Sequence, residues 1–226
     1  MSKLLPRPSA VIFDWDNTLI DSWGCIQAAM NITLTKMGKP VWDMDEVKSR
    51  VALSLRDSFP KMFNDRWLEA REVFYQAYAD IHLQVLKPLP GAASMLKQLA
   101  EWGIKLGVVS NKNGDFLRKE AEHLGWSPLF ERLVGANDAA ADKPSAAPVQ
   151  LILASLGQPP VQKVWFVGDG AVDMECAANS GCHGVLLRED PWRKDEFSSH
   201  PPCQHFFTCP EFAQAVGKLV TSRPNS

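Results

Sequence analysis

No apolar run in this sequence approaches the roughly 18 residues that a membrane-spanning helix requires. The first ten residues, MSKLLPRPSA, hold only a two-leucine apolar patch before Pro6, which is too short for the hydrophobic core of a signal peptide. These two absences argue against a transmembrane protein and against a secreted one. We therefore expect a soluble cytoplasmic protein with no membrane partner.

Blocks of basic residues are also missing. The chain has 24 Lys and Arg against 26 Asp and Glu, a formal net charge of −2, and the basic residues are scattered along it. A protein that follows a nucleic-acid backbone usually gathers its positive charge on one face or segment. We therefore expect no nucleic-acid partner.

Cysteine is scarce, with five residues in 226, and the number is odd. In a chain of this length such scattered cysteines predict reduced thiols rather than a disulfide framework. The segment CQHFFTC, residues 203–209, places two of them beside His205. Its spacing differs from the paired C-x₂₋₄-C units of zinc sites, so we do not expect structural zinc there.

The sequence does contain several short apolar runs that are typical of buried strands. They are uniformly apolar where a surface strand would alternate, which favours a parallel sheet covered on both faces. Hydrophobic residues at 46% and charged residues at 22% are ordinary for a folded domain. The runs are residues 10–13, 105–109, 132–135, 164–167 and 184–187.

Helical patterns lie between these runs from about residue 88 onward. Three of them begin or end at glycine or proline and cover residues 90–103, 114–125 and 171–181, and a fourth, at about 147–156, follows Pro144. Strands that alternate with helices predict an α/β fold, a doubly wound parallel sheet of the Rossmann-like kind. Residues 1–21 and 88–226 would form this core.

Residues 22–87 break the alternation, because their patterns are helical only. We predict helices at 23–37, at 43–55 with Asp43 or Asp45 as the N-cap, and at 66–86. This segment would form an inserted all-helical cap domain, placed after the first strand, that acts as a lid.

Polar side chains follow three of the predicted strands in a fixed order. Asp14 and Asp16 come after the first strand, Ser110 and Asn111 after the second along the chain, and Asp169 and Asp173 after the run 164–167. Lys143 stands before that run, beside Pro144 and near a helix start. Ligands bind beyond the carboxyl ends of strands in such sheets, so we expect these side chains to share one site.

The ordered set D-x-D-x-T, S-N, K and G-D-x-x-x-D resembles the motifs of the haloacid dehalogenase-like superfamily of hydrolases. Among its members the chain is most similar to the phosphoglycolate phosphatase group, whose helical cap follows the first motif. The resemblance implies a nucleophile at Asp14 and a general acid and base at Asp16. It also implies phosphate binding by Ser110 and Lys143.

The resemblance further implies a Mg²⁺ ion held by Asp14, the backbone carbonyl of Asp16, and Asp169, with Asp173 nearby or bound through water. Hard oxygen ligands suit Mg²⁺, and an anionic nucleophile needs cations to approach a phosphate. Amides near Asn111 to Gly114 would bind further phosphate oxygens. The expected function is Mg²⁺-dependent hydrolysis of a small-molecule phosphate monoester through an aspartyl-phosphate, by a monomer or a homodimer.

Two residues of the first motif, Trp15 and Asn17, lie beside its acids. Asn17 stands where the related phosphatases usually have glycine, and asparagine tolerates left-handed backbone angles better than most residues. Trp15, between the two acids, is interpreted as an apolar residue packed in the core. The turn therefore remains compatible with the motif.

Substrate choice is expected to depend on the cap. Arg56 is the preferred candidate for an anionic substrate, with Arg50 and Lys61 beside it in the sequence RVALSLRDSFPKMF. A phosphonoacetaldehyde hydrolase-like enzyme stays open, with Lys36, Lys48 or Lys61 forming a Schiff base. A sugar-phosphate mutase and a non-catalytic phosphoester-binding protein also stay open.

Overall fold

The computed structural model describes residues 5–51, 53–192 and 195–221. The described residues form two compact units. One contains the chain up to Ile20 and the chain from Pro88 onward, and the other contains Asp21–Lys87. The predicted core also includes residues 1–4, 193–194 and 222–226, and the predicted cap includes residue 52, all of which lie outside the described residues. No helix in the described part of the chain is both long enough and apolar enough to cross a membrane.

The described strands, numbered in chain order, are β1 Ala10–Phe13, β2 Ile20–Asp21, β3 Lys87–Pro88, β4 Lys105–Asn113, β5 Arg132–Ala136, β6 Val164–Gly168, β7 His183–Leu187 and β8 Gln204–Phe206. Within the described residues, six of them form one sheet in the order β5-β4-β1-β6-β7-β8. Every neighbouring pair is parallel. The five predicted strands and the predicted α/β fold class are therefore confirmed. Strands β2 and β3 pair separately.

The segment 203–209 contains the edge strand β8, which the sequence does not predict. The Phe206 ring contacts Phe212 at a centroid distance of 5.4 Å, and His205 Nε2 lies 2.9 Å from the carbonyl oxygen of Arg188. Two adjacent phenylalanines are too short a pattern to indicate a strand, so tertiary contacts decide this element. None of the five cysteines forms a disulfide.

The described helices of the second unit are α1 Trp23–Lys36, α2 Met44–Arg50, α3 Leu55–Phe63 and α4 Trp67–Val85. Helix α1 and helix α4 confirm two of the predictions. Asp43 caps α2 as expected, because its carboxylate accepts the Glu46 N–H at 2.8 Å.

The single helix predicted over 43–55 is wrong. The structure ends α2 at Arg50 and starts a separate helix, α3, at Leu55. Pro60 lies inside α3. An interior proline removes a backbone hydrogen-bond donor, so the sequence does not favour a helix there. Buried Phe59 and Phe63 stabilise α3 through packing instead.

The described helices that flank the sheet are α5 Ala92–Glu101, α6 Gly114–His123, α7 Ala147–Ser155, α8 Ala171–Ser180 and α9 Cys209–Thr221. The first four agree with the predicted helices, and α9 is not predicted. Val149 and Ile152 of α7 join one buried cluster with Ile12 of β1. Phe212 of α9 contacts Phe13, with ring centroids 5.9 Å apart. Helices therefore cover the central strand from two sides.

Candidate active site

Three neighbouring strands, β4, β1 and β6, bring their carboxyl ends to one edge of the sheet. Phe13, the last residue of β1, pairs with Val108 of β4 and Val167 of β6. The N–H of Asp14 donates to the carbonyl oxygen of Val167 at 2.8 Å. Residues that directly follow these strands, including Asp14 and Asp169, therefore meet at the edge where ligands bind in such sheets.

Lys143 links two of the predicted carboxylates. Its Nζ lies 2.6 Å from Asp14 Oδ1 and 2.8 Å from Asp173 Oδ1, and its side chain is only 2% exposed. Asp169 belongs to the same cluster, because one oxygen of each aspartate lies within 4.8 Å of the others. The structure thus brings together four predicted site residues that come from three separate segments of the chain.

Backbone constraints hold Asp173 in this cluster. The Gly170 N–H donates to Asp173 Oδ2 at 3.0 Å at the start of α8. A Cβ added at Gly168 would lie 2.2 Å from Asp173 Cγ, closer than any real contact. Glycine at the end of β6 is therefore a condition for the position of this carboxylate.

The cluster combines three carboxylates with one ammonium group. Burial, and to a lesser extent the charge of Asp173, raise the pKa of Asp14 to about 7 even though Lys143 opposes the shift. Burial followed by the charges of Asp173 and Asp14 also raises the pKa of Asp169. Burial by itself would lower the pKa of Lys143, but the two aspartates outweigh it and the pKa rises. This excess of buried negative charge, carried by hard oxygen donors, fits a divalent cation.

The turn after β1 has the conformation that the first motif requires. Asn17 has a φ of 59°, in the left-handed region, and its N–H donates to the carbonyl oxygen of Ile20 at 2.7 Å. Asn17 therefore adopts the left-handed backbone conformation that asparagine is expected to tolerate here. Thr18 Oγ1 lies 3.5 Å from Asp169 Oδ1, so the turn also contacts the carboxylate cluster.

The end of β4 supplies two of the residues predicted to bind substrate, Ser110 and Asn111. Ser110 is buried, and its Oγ accepts the N–H of Lys112 at 3.2 Å. Asn111 holds the backbone of Lys143, because its Oδ1 accepts the Lys143 N–H at 2.9 Å and its Nδ2 donates to the Lys143 carbonyl at 3.2 Å. Asn111 therefore positions the lysine, a contact that the sequence did not indicate, and its binding of substrate stays a prediction.

Sequence reasoning missed a second group of buried charges beside Asp16. Lys112 Nζ lies 2.7 Å from Asp16 Oδ1 and 2.6 Å from Glu120 Oε2. Glu120 also accepts the indole N–H of Trp15 at 2.7 Å. The available signals were Lys112 directly after Ser110-Asn111 and a glutamate beside Ala121 on the apolar face of α6. Trp15 is fully buried, as predicted.

The cap candidates lie in the helical unit. Arg56 is on α3 and half-buried, and its predicted contact with substrate stays a prediction. Arg50 is engaged locally, with its Nη2 2.8 Å from Glu46 Oε1 and its guanidinium 4.8 Å from the Trp42 ring centroid. Lys61 is exposed on α3. Arg50 is therefore the candidate with the clearest structural role in its own unit.

A parallel sheet whose strand ends carry this aspartate and lysine cluster defines the haloacid dehalogenase-like class of hydrolases. The chain belongs to that family, whose sequence model matches residues 11–187. It is 34% identical over 177 residues to a phosphoglycolate phosphatase of Aquifex aeolicus, covering 78% of this chain and 83% of the relative. It is also 29% identical over 202 residues to a phosphoglycolate phosphatase of Yersinia pestis, covering 85% and 87%.

Solved structures agree with this assignment. A haloacid dehalogenase-superfamily hydrolase from Ehrlichia chaffeensis matches with a TM-score of 0.66 and 27% identity, covering 96% of this chain and 100% of the other. A predicted phosphoglycolate phosphatase from Haemophilus somnus matches with a TM-score of 0.80 and 21% identity, over 92% and 97%, and shows the fold alone. The protein is an enzyme of the phosphatase type, similar to phosphoglycolate phosphatases, with an aspartate cluster suited to a metal.

Proposed function

We propose that the protein hydrolyses a small-molecule phosphate monoester with Mg²⁺, through an aspartyl-phosphate formed on Asp14. The observation that carries this proposal is the buried cluster in which Lys143 contacts Asp14 at 2.6 Å and Asp173 at 2.8 Å. A carboxylate held against an ammonium group at a sheet edge is a nucleophile placed beside a binding group for phosphate.

The metal would be held by Asp14, Asp169 and the backbone carbonyl of Asp16, with Asp173 nearby or bound through water. The donor set fits, because oxygen atoms of Asp14, Asp169 and Asp173 lie within 4.8 Å of one another. When bound, Mg²⁺ neutralises negative charge on the transferring phosphoryl group and on the attacking carboxylate. Lys143 and Ser110 would bind the remaining phosphoryl oxygens.

The first chemical step forms one bond and breaks another. A carboxylate oxygen of Asp14 attacks phosphorus, the bond from phosphorus to the ester oxygen breaks, and Asp16 gives its proton to the departing oxygen. In the second step Asp16 takes a proton from water while the water oxygen attacks phosphorus. The bond between phosphorus and Asp14 then breaks, which releases phosphate and restores both aspartates.

The substrate we propose is a small acidic phosphate ester of the phosphoglycolate kind, because the curated relatives in Aquifex aeolicus and Yersinia pestis are phosphoglycolate phosphatases. Residues 22–87 would act as the cap domain that selects it, and residues 1–21 and 88–226 as the catalytic core. Arg56 is the cap residue proposed to meet the substrate carboxylate.

The direct test is the substitution Asp14→Asn, assayed by phosphate release from phosphoglycolate with Mg²⁺. We expect kcat/KM to fall by more than about 10³-fold, because the amide removes the covalent route while keeping the shape of the side chain. The matched control is Asp115→Asn, an exposed aspartate in the first turn of α6. It should keep wild-type activity.

Four results would contradict the proposal. Full activity of Asp14→Asn would remove the nucleophile assignment, and isomer formation without phosphate release would indicate a mutase. Trapping of an aldehyde substrate by borohydride at Lys36, Lys48 or Lys61 would indicate the phosphonoacetaldehyde hydrolase-like reaction. Binding without turnover across a panel of monoesters would indicate a non-catalytic protein.

A further inference from the structure

A buried charge network lies next to the first motif segment, beside the aspartate cluster. Lys112, at the end of β4, lies between Asp16 and Glu120, at 2.7 Å and 2.6 Å. The side chains of Lys112 and Glu120 are 5% and 0% exposed. Nothing in the hydrolysis described above uses the side chain of either residue.

Simple core packing does not account for this network. A fully buried carboxylate costs several kcal/mol unless it is paired and hydrogen-bonded, and a Leu or Met would fill the same space without that cost. One oxygen of Glu120, Oε2, accepts both the Lys112 ammonium and the Trp15 indole N–H, at 2.6 Å and 2.7 Å. The cost of burying the Lys112 and Glu120 charges therefore points to a role beyond packing.

Both side chains contact the segment that carries Asp16. Glu120 contacts Trp15, the residue before Asp16, and Lys112 contacts the Asp16 carboxylate itself. The segment is thus tied to α6 at the indole ring and to β4 at the carboxylate. Asn113, the last residue of β4, also caps α6, since its side chain accepts the Asp115 N–H at 3.0 Å. Both supports therefore belong to one continuous stretch of chain.

We propose that Lys112 and Glu120 are positioning residues that hold Asp16 at the leaving-group oxygen. The inference rests on the proposed function, because it assumes that Asp16 supplies the proton. Proton transfer requires hydrogen-bonding distance between donor and leaving oxygen, so a loosened Asp16 would slow it. The loss would depend on the leaving group, because an alkoxide needs the proton and a nitrophenolate leaves without it.

The test compares kcat/KM for phosphoglycolate with kcat/KM for p-nitrophenyl phosphate, since this ratio reports the step in which the leaving group departs. Lys112→Met should lower the phosphoglycolate value by about 10²-fold and the nitrophenyl value by less than about threefold. Glu120→Gln should show the same selectivity to a smaller degree. Lys112→Arg should recover part of the lost value for phosphoglycolate, because it restores the positive charge.

Two further variants serve as references: Asp16→Asn tests the acid role of Asp16, and Lys105→Met tests the effect of losing a lysine elsewhere on β4. Asp16→Asn should show the same selective loss, and its combination with Lys112→Met should add almost nothing, because both act on one proton transfer. Lys105→Met is the matched control, since Lys105 starts the same strand and donates to the Leu156 carbonyl at 2.7 Å instead. It should leave both kcat/KM values unchanged.

Equal losses on both substrates in Asp16→Asn would overturn the role of Asp16 as the acid of the proposed mechanism, on which this inference rests. In another outcome, Asp16→Asn loses activity selectively on phosphoglycolate while Lys112→Met loses activity equally on both substrates or not at all. That result would overturn the positioning role alone. If Lys112→Met does not fold, the decision falls to Glu120→Gln and Lys112→Arg, measured in the same two assays. Wild-type ratios in both would reject the inference.

Discussion

Gly168 and Asp173 are coupled by a contact that leaves no room for a side chain. A Cβ at Gly168 would lie 2.2 Å from Asp173 Cγ and 2.4 Å from its Cβ. Neither atom can move freely, because the Asp173 carboxylate accepts from the Gly170 N–H and contacts Lys143. The glycine before Asp169 therefore determines where another carboxylate of the cluster lies.

Gly168→Ala should accordingly lower both stability and metal binding. We expect the free energy of unfolding to fall by about 1–3 kcal/mol, the usual cost of overpacking, and the Mg²⁺ concentration for half-maximal activity to rise. Gly24→Ala is the opposite case, since Gly24 lies in α1 with open space around it, and it should stabilise by up to about 1 kcal/mol. Urea unfolding measures the stability of each variant, and a Mg²⁺ titration of activity measures its metal dependence. Unchanged Mg²⁺ dependence in Gly168→Ala would contradict the coupling.

Some residues of the site could be predicted from the sequence, and others could not. The order of acids, serine and lysine along the chain identified Asp14, Asp169, Asp173 and Lys143, which the structure brings into one cluster. Nothing in the sequence indicated that Lys112 would lie between Asp16 and Glu120, because these contacts join positions up to 105 residues apart across three elements.

Helix α3 is an element that depends on packing more than on sequence preference. Pro60 lies in its interior, where proline removes a backbone donor. Phe59 is fully buried, with ring centroids 5.0 Å from Phe63 and 5.8 Å from Phe74 of α4. The aromatic contacts with α4 therefore replace the local stability that the proline takes away.

Phe59→Ala should destabilise the helical unit strongly. Large-to-small substitution of a buried phenylalanine costs about 3–5 kcal/mol, through lost burial and the cavity that remains. The control is Leu68→Ala, because Leu68 on α4 is 49% exposed and its removal should cost less than about 0.5 kcal/mol. Thermal unfolding followed by circular dichroism compares the two. Equal midpoints would show that α3 does not depend on this packing.

The charge of the whole cluster makes the stability of the metal-free protein depend on pH. Asp14 has a pKa of about 7 in the folded protein against an ordinary 3.8, chiefly because of burial. Between these two values the folded state binds a proton that the unfolded state has lost, so this group's contribution to stability falls as the pH rises from about 4 to about 7. The raised pKa of Asp169 has the same sign.

Mg²⁺ and protons should therefore compete for the same carboxylates. We expect Mg²⁺ added to chelator-treated protein to raise Tm more at pH 7.5 than at pH 5, because the ligands must be ionised to bind it. In metal-free samples, the stability of the wild type relative to Asp14→Asn should decrease from pH 4 to 7 and then level off. A Mg²⁺ shift of Tm that is equal at both pH values would contradict this account.

The sequence by itself determined the parallel α/β class, the first five strands of the sheet, and the four residues of the buried cluster. These depend on local patterns, since uniformly apolar runs form covered strands and polar residues directly after them reach one edge. Tertiary structure alone decided α3, β8, α9 and the network of Lys112 and Glu120. Their stability comes from contacts between distant segments, which no short stretch of sequence encodes.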